Sequence, residues 1–478
     1  MLFNSLEYLI FFPLVFIIFW LIPSRKIKFR NVFLLGCSYL FYGWWDYRFL
    51  GLIVLSTLID FTAALGIANS DKPKVRSIWL GVSVVANLGM LGFFKYYNFF
   101  VDSLVASLAM LGVDADVDRL AVILPVGISF YTFQTLSYSI DVYRREISAT
   151  NDLVAFSAFV SFFPQLVAGP IERARNLLPQ FFQPVQVNRS QLVDGLRQIV
   201  WGFFKKVVVA DHCAQWANQI FDQPDAHDGF TLWLGAFYFT MQIYGDFSGY
   251  SDIAIGTART MGFQLMQNFA FPYFSRDMAE FWRRWHISLS TWFRDYLYFP
   301  LGGSRFTFSK TLRNTFIIFV VSGFWHGANW TFVAWGFINA LYFIPLLMTG
   351  QNRKNLGVIG QDGWPSFREV LGMILTFVMA MVAWVFFRAE NLREALVYLS
   401  GMFSSAWKWE EALHYFSTFT IGAVAFLFVV EWLNRKGKHG LEGLDRLPAW
   451  LRIAFYILII GCVLLYRGEN QQFIYFQF

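Results

Sequence analysis

Long apolar stretches almost free of charge constrain this chain more than any other feature. They run over 8–22, 49–68, 78–94, 330–348, 370–387, 416–430 and 453–465, with short polar loops between them. About 20 apolar residues cross a hydrocarbon layer of roughly 30 Å, and several of these runs reach or approach that length. The composition, 56% hydrophobic and 15% charged, would also suit a large buried core, so the run lengths decide. The spacing implies an all-α, polytopic membrane protein with roughly ten to twelve membrane segments.

The basic residues lie in loops beside the apolar runs: "SRKIKFR" at 24–30, "DKPKVR" at 71–76, "RR" at 144–145 and "NRKGKH" at 434–439. Lys and Arg are retained on the cytoplasmic face, so these loops point inward. That orientation places "WWDYR" (44–48) and "DADVD" (114–118) outside. The +6 net charge is spread over loops and not gathered in one soluble domain, which argues against a nucleic-acid partner. The first apolar run follows Glu7 rather than a basic segment and has no small-residue cleavage site after it, so it reads as a retained helix. Cys37, Cys213 and Cys462 are too few and too scattered for a disulfide framework or a zinc site, and no metal centre is expected.

One membrane domain over 1–478 is expected, in three regions. Residues 1–110 and 366–478 read as ordinary spanning helices. The middle, 119–349, interrupts its apolar runs with Gly, Pro, Asp, Arg and His, notably in 123–144, 162–170, 243–256 and 271–303. Irregular backbone at membrane depth survives only where protein or a water-filled cavity satisfies it. Broken or re-entrant helices around a central tunnel are therefore expected there, and ionisable residues in that region carry a functional presumption.

Of six histidines, His212, His227, His414 and His439 lie near loops where water can reach them. His286 and His326 differ, because both fall in the interrupted middle region. Taken as one helix, 279–296 gathers Phe281, Trp282, Trp285, Leu289, Trp292, Phe293 and Tyr296 on one face. Arg276, Arg283 and Arg294 form a stripe on the other side, with His286 at the boundary. An interfacial amphipathic helix explains the tryptophans and arginines but does not require a histidine. In "VSGFWHGANW" (321–330), the helix starting near Arg313 advances about 18 Å to reach His326, which puts the ring at depth. A hairpin turning at the far surface would expose it instead, and spacing alone leaves both geometries open. Histidine is the commonest general base near neutral pH, and activating a hydroxyl against a thioester or ester needs one. No Ser-centred elbow competes, since "GDFSGYSD" is not G-x-S-x-G.

Five stretches together resemble the membrane-bound O-acyltransferase family, in particular its bacterial alginate O-acetyltransferase branch: "EFWRRWHISLSTWFRDYLYFPLGGSR", "GFWHGANWTFVAWG", "YGDFSGYSDIAIG", "LPVGISFYTFQTLSYSIDVYR" and "FPQLVAGP". The likeness extends from the N-terminal text to the closing "FIYFQF". The resemblance implies a helical shell around a tunnel that meets at a histidine, which falls on His326, with the family's second functional position on His286. It also implies a bacterial inner-membrane enzyme that moves an acyl group from a cytoplasmic thioester toward an acceptor outside. Acetyl-CoA is the expected donor and no cofactor is bound. The resemblance further implies an SGNH-hydrolase-type partner that completes the transfer to a polysaccharide acceptor.

On that basis His326 is the expected general base and His286 assists at the thioester, with a transient acyl-histidine left open. Arg283 and Arg284 are candidates for donor phosphates, lipid headgroups being the alternative for each. Trp325, Asn329, Asp295 and Tyr296 are further tunnel candidates. Asp246 and Asp252, six apart in a Gly/Ser-rich stretch, read as structural hydrogen-bonding groups. The rival readings are a polysaccharide or small-molecule transporter and a non-catalytic scaffold. No paired halves of the transporter kind are visible.

Overall fold

A computed structural model describes residues 1–478 except 168, 306, 361–362, 405–406, 467, 469–470 and 477–478. Ala168 of the 162–170 stretch and the last two residues of the closing 473–478 stretch thus lie outside the described residues. The described chain is helical and separates into two compact units: 1–191 with 258–265, and 192–257 with 266–478.

The first unit contains α1 (Leu6–Leu21), α2 (Ile27–Asp46), α3 (Leu50–Ala68), α4 (Pro73–Leu91), α5 (Tyr97–Met110), α6 (Ile128–Tyr143) and α7 (Leu153–Val160). Two single-turn helices, α8 (Phe163–Leu166) and α9 (Ala174–Leu177), follow. α3, α4 and α6 pack around Asp60, which is wholly buried. Its carboxylate accepts from the Ser83 hydroxyl, from Asn87 Nδ2 at 2.7 Å and from Ser139 Oγ at 2.7 Å. A carboxylate removed from water needs such donors. Two arginines of the basic loops also work inside the unit. Arg76 donates to Ile67 O (2.8 Å) and Tyr143 O (2.7 Å), closing the C-terminal ends of α3 and α6, and Arg30 donates to Gln183 O (2.9 Å). α6, expected to be broken, is one helix. It starts at Gly127, whose φ of 76° and close approach to Leu166 O leave no room for a side chain.

The second unit begins within α10 (Arg189–Phe203) and continues with α11 (Asp211–Phe221) and α12 (Gly229–Thr260). The site helices follow: α13 (Met278–Arg284), α14 (Ile287–Phe293), α15 (Phe308–His326) and α16 (Trp330–Met348). α17 (Phe367–Arg388), α18 (Leu392–Ser404), α19 (Trp409–Tyr415), α20 (Thr418–Leu433) and α21 (Ala449–Leu465) complete it. The 243–256 stretch, expected to be irregular, lies inside the uninterrupted 32 residues of α12. Its carboxylates are met by Lys205 and Lys206 from the preceding π-helical turn 204–210, so the backbone has no reason to break. The opposite correction applies to 279–296. Its 3.6-residue pattern continues through His286, but the helix does not: α13 ends at Arg284 and α14 starts at Ile287.

Among the described residues, four helical stretches are long and apolar enough to cross a membrane: 27–68, 73–110, 330–348 and 367–388. The pair 409–415 and 418–433, bent by 80°, makes a fifth if taken as one span. Extended backbone at Asp46 divides 27–68 into α2 and α3, each about 30 Å long. The apolar helices at 6–21, 153–166 and 449–465 are shorter, so length and composition do not reach the expected ten to twelve segments.

Candidate active site

His286 stands at the break between α13 and α14. Its φ of 42° and ψ of 56° put a branched side chain in the left-handed region, which costs on the order of 1–3 kcal/mol. Short-range pairing with the 268–270 strip compensates. Ala270 N donates to Arg284 O at 3.0 Å and Ile287 N donates to Asn268 O at 2.9 Å. The Asn268 side chain then orients the ring. Its Oδ1 accepts from Ser288 Oγ at 2.8 Å and lies 3.0 Å from His286 Nδ1. Its Nδ2 donates to Ser251 Oγ at 3.0 Å, and Ser288 N donates to Oδ1 at 3.3 Å, which fixes the amide's direction. An acceptor oxygen beside Nδ1 requires the proton there, so Nε2 carries the imidazole lone pair.

His326 is held differently. It is the last residue of α15, and Gly327 continues in extended backbone (φ −156°). Asn329 then caps α16 by accepting from Thr331 N at 3.0 Å. The turn is tight because glycines let the two helices touch. A Cβ at Gly323 would fall on Phe332 O, one at Gly336 on Phe319 O, and one at Gly327 on the Phe332 ring. A hairpin does form, as one of the two sequence geometries required, yet His326 is only 3% exposed. Aromatic rings cover it: Trp325 at 5.0 Å, Trp335 at 5.1 Å, Phe387 at 5.3 Å and Tyr475 at 5.6 Å between centroids.

The two imidazoles are 6.4 Å apart between centroids and line the same cavity of about 290 Å³. Thr315, Ile318, Phe319, Ser322 and His326 supply one face of α15, and His286, Leu289, Ser290 and Phe293 line it along α14. Followed away from His286, α14 leads outward to Arg294, whereas on α15 the lining reaches Thr315, itself buried. Arg294 and Arg353 are exposed members of the lining, whereas both histidines are buried. The cavity therefore has a deep imidazole end and a basic mouth, with Trp282, Phe293 and Phe319 among its apolar walls.

Comparison with known proteins decides the class. The model of the membrane-bound O-acyltransferase family matches residues 39–356. A probable alginate O-acetylase, AlgI, of Azotobacter vinelandii is 43% identical over 406 residues, 84% of this chain and 78% of that protein. The protein of the same name from Pseudomonas aeruginosa is 39% identical over 457 residues, covering 95% and 81%. A peptidoglycan O-acetyltransferase of Helicobacter pylori is 33% identical over 420 residues, covering 82% and 77%. The chain belongs to the membrane-bound O-acyltransferase family. It is an O-acyltransferase and a multi-pass membrane protein.

Other candidate residues take definite places in this acyltransferase. Arg283 donates to Asn352 O (2.9 Å) and Asn355 O (2.8 Å), pinning the loop that brings Asn352 and Arg353 to the cavity. Arg284 binds Glu280 (2.8 Å) and Ala270 O (3.1 Å), so it braces the break at His286. Trp325 is buried beside both imidazoles. Asn329 donates to Glu390 O at 2.6 Å in addition to its capping role. Asp295 pairs with Arg294 at 2.8 Å, and the Tyr296 ring lies 5.0 Å from Trp292. The lining names their neighbours Arg294 and Tyr298 instead, because 294–298 is a π-helical turn whose wider pitch rotates the face read at 100° per residue. Asp252 pairs with Lys205 at 2.6 Å and accepts from Gln198 at 2.8 Å. Asp246 pairs with Lys206 at 2.8 Å. Of the remaining histidines, His439 is buried and not solvated, 3.0 Å from Asp194.

Asn268 and Tyr475 escaped the sequence reading. Neither sits in a helical pattern; nothing local marks Asn268, and Tyr475 reads only as part of the closing "FIYFQF" and not as a site residue. A second recess of about 850 Å³, polar and lined by Asp222, Asp225, Arg388, Glu390 and Arg393 among others, shares no lining residue with the first. It lies beside the Phe387 and Asn329 shell of His326, since Arg388 and Glu390 belong to it.

Proposed function

We propose that this enzyme moves an acetyl group from a cytoplasmic thioester, acetyl-CoA, to a hydroxyl on an extracytoplasmic polysaccharide or on an SGNH-type partner, in a bacterial inner membrane. The observation that carries the reading is the pair of buried imidazoles at the closed end of one cavity with arginines at its mouth. A thioester arm is long, thin and apolar near the acyl group, with phosphates at its far end, and that polarity matches the cavity. Arg294 and Arg353 meet the phosphates. The polar recess beyond Phe387 suits the acceptor side.

His326 removes the proton from the acceptor hydroxyl as its oxygen attacks the thioester carbonyl. The new C–O bond forms, the C–S bond breaks, and the departing thiolate takes the proton back from His326. His286, with its proton fixed at Nδ1 by Asn268, offers an Nε2 lone pair that stabilises the charge formed on His326. The alginate and peptidoglycan acetylation named for the relatives makes an acidic or amino-sugar polymer the expected acceptor class.

The test is incorporation of label from radioactive acetyl-CoA into envelope polysaccharide, using membranes that contain equal amounts of wild-type or His326→Ala protein. A loss of about a hundredfold or more is expected, the range for removing a general base. Transport of label with no transfer dependent on His326 would replace this reading with that of a transporter.

A further inference from the structure

The Tyr475 ring lies beside both histidines, 6.3 Å from His286 and 5.6 Å from His326, and packs on Phe247 at 4.4 Å. It belongs to a short 3₁₀ turn, Ile474–Phe476. So short a turn cannot stabilise itself and needs fixed partners outside it.

Those partners are ionic. Asp246 Oδ2 accepts from Ile474 N at 2.7 Å, and Lys206 Nζ donates to Gln471 O at 3.3 Å. Lys206 also lies 2.8 Å from Asp211 and 2.8 Å from Asp246. Lys206 and Asp211 are each 1% exposed and Asp246 is 2% exposed. Well-packed apolar residues often stabilise a fold as well as a buried ion cluster does, so one retained at a docking point argues for defined geometry there. The π-helical turn 204–210 supplies that geometry, sending Lys205 to Asp252 and Lys206 to Asp246.

We propose that Lys206, Asp211 and Asp246 form a latch that fixes residues 471–476 and so holds the Tyr475 ring against both imidazoles. Asp246 and Lys206 are then positioning residues, acting on the reaction through the placement of one ring. The kinetic consequence rests on the acetyl-transfer reading above. The placement does not.

Two readouts separate these. In protein with Cys37, Cys213 and Cys462 replaced by alanine, a Tyr475→Cys thiol should react slowly with a membrane-permeant maleimide. Asp246→Asn should accelerate that labelling about tenfold or more, because exposure through local opening scales with the open population. In the acetyl-transfer assay, Asp246→Asn should lower kcat about tenfold with KM for acetyl-CoA little changed. The same substitution added to Tyr475→Ala should cost less than about twofold more, since coupled sites are not additive. Where Asp246→Asn does not accumulate as folded protein, Ile474→Pro carries both arms. It removes the N–H donor at a first-turn position that proline suits, while exchanging the buried Ile474 side chain for a ring. Unchanged labelling overturns the latch, as does a full tenfold loss repeated in the Tyr475→Ala background. Labelling is read without substrate, so failure of the acetyl-transfer reading leaves that arm decisive.

Discussion

The surroundings of His286 and His326 differ in kind although the rings share a cavity. His286 is held by a polar clasp: Asn268, Ser288 and a strained main-chain break. His326 is held by four aromatic rings and by two helices that glycines allow to touch. A clasp made of directional donors fixes which nitrogen bears the proton. A cage of rings fixes where the imidazole is through shape and packing. The first setting suits a constant partner, and the second suits the group that gains and loses the proton.

That contrast can be broken at its strongest point first. His326→Ala should show the largest loss, about a hundredfold or more in acetyl transfer. His286→Ala should cost less, on the order of tens of fold in kcat, since it removes assistance and not the base. Equal or larger loss from His286→Ala, measured side by side at matched protein level, would reverse the two roles. Asn268→Leu, which removes the clasp but keeps the volume, should cost about tenfold and add little to His286→Ala, because both act through one ring. Additive losses in that double variant would show that Asn268 serves something other than the His286 tautomer. The mouth should matter least. Arg294→Ala or Arg353→Ala should raise KM for acetyl-CoA about threefold at low salt, shrinking as ionic strength screens exposed charge. A KM unaffected by either change at any salt would place the donor's phosphates elsewhere.

A further contrast concerns how each unit buries carboxylates. Asp60 in the first unit is met by neutral donors from Ser83, Asn87 and Ser139. Asp246 and Asp252 in the second are met by lysines. Removing one partner of a buried ion pair typically costs about 3–5 kcal/mol, because it strands the other charge. The ionic arrangement is thus the more demanding, and it occurs where the chain anchors a segment at the active centre.

How far the sequence reaches can be seen residue by residue. The runs at 330–348 and 370–387 became α16 and α17, since length and apolarity are properties of the segment alone. The motif around "WHGANW" singled out His326, while the close helix contact at Gly323 and Gly327 emerged only from the structure. Periodicity failed in both directions. It carried a helix through His286, where pairing with 268–270 stops it, and it suspected a break near Asp246, where Lys206 makes the helix tolerable. Asn268 gave no local signal, and Tyr475 was visible only as part of the closing "FIYFQF", with nothing to say that it packs on the histidines.

The chain by itself determined that it is a helical membrane protein of the O-acyltransferase family and singled out His286 and His326 as candidates, because apolar run length and long motifs are written along the backbone. Only the tertiary structure decided that the imidazoles share a cavity, which nitrogen of His286 holds the proton and which ring lies against them both. Those facts depend on partners brought together from distant positions, and residue spacing carries no record of such meetings.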